Sequence, residues 1–223
     1  MYIKHHKFTA MKIFKGCAVA LMSILLLVLL NGGILNASTP QSDCHGIDPF
    51  YQLAILVGAY TAEYYDAFFM YNWSENNIIQ DSLPFADIWF FSGHGGQTWY
   101  GKNYLVAGDD GHIMPEDIPD LHDQHEFAQM RFAYACACQS GDPDWWQNDL
   151  PEAFLDNGAR AYMGWADKVE YGIAYDFTDW FYYYAINEAQ NVEQAKDNAL
   201  SQVPEAESEG NIQLFGENVN LIP

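Results

Sequence analysis

Three stretches of this chain, ADIWFFSGHGG (86–96), RFAYACAC (131–138) and ARAYMGW (159–165), are nearly unbroken apolar runs, and the first two end at glycine-rich breaks. A half-exposed strand alternates apolar with polar residues, whereas an unbroken run needs cover on both faces. Such runs separated by helical segments predict a mostly parallel sheet between two helical layers. QLAILVGA (52–59) reads as a further run of the same kind, with a helix from Glu63 to Trp73 after it. LPEAFLDNG (150–158) reads as a short helix stopped by Gly158.

After residue 174 the spacing turns helical. Phe177, Trp180, Phe181, Tyr184 and Ala185 fall on one stripe, and a second helix carries Val192, Ala195, Ala199 and Val203 before Pro204. The last stretch, NIQLFGENVNLI, reads as an edge strand or hairpin. The fold class is therefore α/β, a three-layer αβα sandwich over residues 50–223. No linker or internal repeat divides it.

The first 37 residues are a separate object. Lys4, Lys7, Lys12 and Lys15 precede the apolar run CAVALMSILLLVLL, and no acidic residue occurs before Asp43. That is the pattern of an export signal, cleaved after Ala37 or kept as an N-terminal membrane anchor, with residues 38–49 as a short linker. Without it, five basic residues face thirty acidic ones, a net charge of −25. Such a surface repels phosphate backbones and anionic lipid, so no nucleic acid is expected as partner. In AGDDGH (107–112), Asp109 and Asp110 fall short of a calcium ligand set, and neither metal nor cofactor is expected.

Three cysteines, Cys44, Cys136 and Cys138, remain beyond the signal. An odd count in an oxidising compartment points to a reactive thiol. In parallel sheets ligands gather beyond the carboxyl ends of the strands. SGHGG and CACQSG follow successive strands, so His94 and Cys138 should emerge at the same edge. A histidine beside a thiol releases the thiolate, and unobstructed glycine amides can bind an oxyanion.

DIWFFSGHGG followed by FAYACACQSG resembles the paired signature of the caspase-like cysteine peptidases, a clan that includes caspases, metacaspases, legumains, gingipains, clostripain, separases and CHAT-domain proteases. EAFLDNGARAYMGW and LFGENVNLI are similar to the following helix, strand and closing strand of CHAT-domain and gingipain-like members. The resemblance implies peptide-bond hydrolysis through a thioester, with Cys138 as nucleophile, His94 as acid–base partner and the amides of Gly95 and Cys138 as oxyanion donors. It also implies a specificity-pocket position for Cys136. For that residue a small buried hydrophobe, or a disulfide to Cys44, is the alternative. Trp165 is expected as a subsite wall, and Asp142 with Asp144 as a source of negative pocket charge. Beyond the first 37 residues the other histidines, His45, His112, His122 and His125, are expected in solvent. Trp99, Trp145 and Trp146 either flank the cleft or cap a core edge. A silent binding module for peptides or a protein partner is the alternative function.

Overall fold

Strand β3, Ile88–Ser92, and strand β7, Phe132–Cys136, are buried at every position, as is β8, Ala161–Trp165. In this computed structural model, which describes residues 43–48, 52–71, 73–108, 110–121, 130–143 and 149–222, these runs form the middle of the sheet. Among the described residues the sheet has the order β2-β1-β3-β7-β8-β9, with β1 at Asp43–Ile47, β2 at Asp66–Met70 and β9 at Ile212–Gly216. All neighbours are parallel except β9, which closes the edge antiparallel to β8.

Both faces are covered, as the unbroken runs require. One face packs Phe90, Phe132, Tyr134 and Met163 under helices α1 (Gln52–Thr61), α4 (Tyr171–Tyr182) and α5 (Val192–Gln202). The other sets the small Ala133, Ala135 and Ala137 against the rings of Trp89, Phe91, Phe154 and Tyr162, with helix α3 (Leu150–Asp156) above them. Asp149 accepts from the Glu152 amide at 2.8 Å and starts α3; Gly158, at φ 114, ends it. Between β3 and β7 a small antiparallel sheet, β4 (Gly95–Gln97), β5 (Asn103–Val106) and β6 (His112–Ile113), grows directly out of the His94 turn. A short helix α2 (Glu75–Asn77) precedes β3 and α6 (Glu205–Ser208) precedes β9.

The first third of the domain departs from the sequence reading. QLAILVGA is helix α1, burying Leu53, Ala54, Val57, Gly58 and Thr61 while Ile55 is half exposed. Residues 66–70, expected within a helix, are edge strand β2. Asp43–Ile47, expected within a linker, is an internal strand. A run apolar all round fits a buried strand or a buried helix, and only the tertiary neighbours choose. The signal or anchor at 1–37 lies outside the described residues; among those described, no helix is long and apolar enough to cross a membrane.

Candidate active site

Strands β3 and β7 lie side by side, and their register pairs Ser92 with Cys136. Two residues further on, each chain has left the sheet at its carboxyl end, one at His94 and the other at Cys138. Both line one pocket of about 520 Å³, together with Gln52, Val169, Tyr171 and Ala174. The register thus brings together residues 44 apart in sequence.

The turn carrying Cys138 is fixed by its successors. Gln139 takes a left-handed φ of 60, which turns the chain sharply. The buried Ser140 hydroxyl lies 2.7 Å from the Ala135 carbonyl and 2.8 Å from that of Ala137, and it accepts from the Trp165 amide at 3.2 Å. Gly141 lies against the next strand so closely that a Cβ there would be 2.4 Å from the Gly164 carbonyl carbon. Ser140 and Gly141 therefore clamp the turn to β8. Gly95 is required for a similar reason: a Cβ would sit 2.5 Å from the Cys138 carbonyl oxygen. The His94 loop therefore approaches the cysteine turn too closely for any side chain at Gly95.

The two neighbouring thiols differ. Cys136 is 5% exposed, and burial pushes its pKa up to about 11, against the weaker opposing influence of Tyr134, Trp165 and Thr178. It is a neutral thiol at physiological pH. Cys138 is half-buried, with Sγ 3.9 Å from the Val169 carbonyl, and His94, on the same pocket, is exposed. Of the pair, both of which line the pocket, Cys138 is the more exposed.

Other expected site residues fall elsewhere. Trp165 is wholly buried, edge-on to Phe177 at 5.4 Å and backed by Gly210, so it belongs to the core. Val169 and Tyr171, just beyond it in sequence, form that wall of the pocket. Asp142 is tied to the small sheet: it accepts from Gln97 Nε2 at 3.3 Å and, through its carbonyl, from Asn103 Nδ2 at 3.0 Å. It does not line the pocket. Asp144, Trp145, Trp146, Asp109, His122 and His125 lie outside the described residues. Trp99 is 94% exposed, edge-on to Tyr100 at 5.3 Å. His45, expected in solvent, is buried against Phe68 and Ser82, whereas His112 is exposed and stacks on Tyr104 at 4.3 Å. All three described cysteines are free. Cys44 shares a register level with Ile88 and Phe132, four residues before Cys136 and two strands away. That is about 13 Å along the strands and about 10 Å across them, far beyond disulfide reach.

Sequence reasoning passed over Asp48. Fully buried at the carboxyl end of β1, it accepts from the Leu53 and Ala54 amides at 2.8 and 3.3 Å and caps α1. Its charge acts on Cys136 and Tyr171, both pocket residues. Asp48-Pro49 ahead of the apolar run was the available signal, since an acidic cap followed by proline marks a helix start. Among the described residues, no three His, Cys, Asp or Glu side chains are placed to hold a metal.

This sheet order, with a Gly-rich histidine loop and a cysteine turn at one edge, is the caspase-like α/β fold. The structure is similar to that of the Arg-specific cysteine proteinase gingipain R, with a TM-score of 0.59 and 14% identity over 82% of this chain and 47% of that one. It is equally similar to the complex of the Porphyromonas gingivalis RgpB pro- and mature domains, with a TM-score of 0.58, 14% identity and 82% and 48% coverage. The chain thus spans about half the length of the structures it matches. At this identity the likeness is one of fold. No family model and no curated protein matches the sequence.

Proposed function

We propose that this protein is an exported cysteine peptidase acting through Cys138 and His94. The observation that carries this reading is the strand register, which delivers one histidine and one half-buried thiol into a single pocket at the carboxyl edge of the sheet. His94 takes the Cys138 proton, and the thiolate attacks the scissile carbonyl. The amides of Gly95 and Cys138 steady the oxyanion, and His94 returns the proton to the leaving amine. Water then hydrolyses the thioester. A positively charged substrate side chain suits the site, given the buried Asp48 behind the pocket and an excess of thirty acidic over nine basic residues. The solved neighbour's Arg specificity agrees with that preference.

The test is iodoacetamide labelling of the purified protein at mildly acidic pH, with adducts mapped by mass, beside cleavage of a peptide library. Selective labelling of Cys138 that disappears in His94→Ala, and cleavage abolished by Cys138→Ala, are the expected results. Cys136→Ala should instead alter substrate preference or stability. Equal, slow labelling of all three cysteines without cleavage would leave the peptide-binding module as the reading.

A further inference from the structure

The pocket holds a second thiol that peptide hydrolysis does not use. Cys136 ends β7, and Ala137 beside it points into the opposite core, so Cys136 and Cys138 both open on the same cavity. An extended strand separates such i, i+2 Cα atoms by about 6.6 Å. That lies near the upper end of the roughly 4.4–6.8 Å that a disulfide spans. The chain bends into its turn at Ala137, where the Ser140 amide donates to the Ala137 carbonyl at 3.3 Å, and so it need not be fully extended. Among the described residues the other free thiol, Cys44, is too distant to compete.

We propose that Cys136 and Cys138 form a reversible oxidation site, in which peroxide converts the two thiols into an intramolecular disulfide across the pocket floor. The inference rests on the reading of Cys138 as the activated thiolate. Cys138 attacks hydrogen peroxide and the O–O bond breaks, leaving a sulfenic acid on Cys138 and hydroxide. Cys136 then attacks the Cys138 sulfur, the S–O bond breaks, and hydroxide departs with the Cys136 proton as water. In total two thiols are oxidised, two protons leave with them, and one peroxide becomes two waters. The placement suits a resolving thiol. Burial keeps Cys136 protonated and inert toward peroxide, so that it reacts only once Cys138, two residues on, has been oxidised. The disulfide would block turnover yet spare Cys138 from irreversible over-oxidation.

The experiment treats the full chain with hydrogen peroxide, denatures it in iodoacetamide and digests it with trypsin. Phe132–Arg160 is one tryptic peptide carrying both cysteines. It should appear two hydrogens lighter and unalkylated, with Cys44 still alkylated, and dithiothreitol should restore both thiols. In Cys136→Ala and Cys136→Ser, dimedone should trap Cys138, and continued exposure should drive it to sulfinic acid that dithiothreitol does not reverse. The unsubstituted chain alone decides the matter if neither variant folds. A dimedone adduct or sulfinic acid on its Cys138, with Cys136 alkylated, overturns the proposal. If Cys138 labels selectively with iodoacetamide yet forms no link, only this inference falls; if it resists both reagents, the catalytic reading falls with it.

Discussion

His45 sits on internal strand β1, 5% exposed, with Nδ1 3.2 Å from Ser82 Oγ and its ring edge-on to Phe68 at 5.4 Å. Burial lowers its pKa from 6.5 to about 4. Between those values the unfolded chain binds a proton that the folded one refuses, so stability is complete above pH 6.5 and declines as pH falls toward 4. The loss is on the order of 3 kcal/mol. Thermal melts from neutral to acid pH should show this decline, and His45→Gln should flatten it; an unchanged acid limb in the variant would exclude His45 as its source. The buried thiols act at the other end. Burial raises Cys136 from 9.0 to about 11 and Cys44 from 9.0 to about 12, so both favour the fold below pH 9 and withdraw that support as pH climbs through those values.

At the scale of elements, the position of Cys138 depends on how the turn after β7 is held to β8. Ser140→Ala removes the hydroxyl shared among the Ala135 and Ala137 carbonyls and the Trp165 amide. The expected cost is about 1–3 kcal/mol. Its melting temperature should fall, and the rate of Cys138 alkylation should fall with it as the turn loosens. Gly141→Ala should be worse, because its new Cβ meets the Gly164 backbone at 2.4 Å rather than a flexible side chain. If Gly141→Ala melts no lower than Ser140→Ala, the close approach of turn and strand is not what fixes this site. The motif ACQSG was legible as a signature, but its letters do different work. Cys138 meets the pocket, whereas Ser140 and Gly141 only fasten it. Sequence alone could not separate those roles, because the partners at Ala135 and Gly164 come from strand packing.

Across the whole molecule, thirty acidic residues against nine basic ones set a negative field around the pocket. Raising ionic strength from about 0.05 to about 0.5 M contracts the reach of that field several-fold. Cleavage of an Arg-containing peptide should then lose several-fold in kcat/KM, through KM, while a neutral peptide changes little. Equal salt responses would detach the charge from substrate capture. The same whole-chain view separates what each level decided. Apolar runs ending at Gly-rich breaks pointed to strands β3, β7 and β8 with cover on both faces, and put His94 and Cys138 at one edge, because loops after successive parallel strands emerge on the same side of the sheet. The β1–α1–β2 segment was decided in three dimensions. His45 and Gly46 break the apolar pattern of β1, and QLAILVGA suits helix and strand alike until β1 and α4 cover it. The pocket wall was settled there too. Trp165 and Tyr171 are both aromatic in sequence, but β8 is covered on both faces and Trp165 lies in its core, whereas the start of α4 leaves Tyr171 at the mouth, where its hydroxyl donates to Gln52 at 3.0 Å.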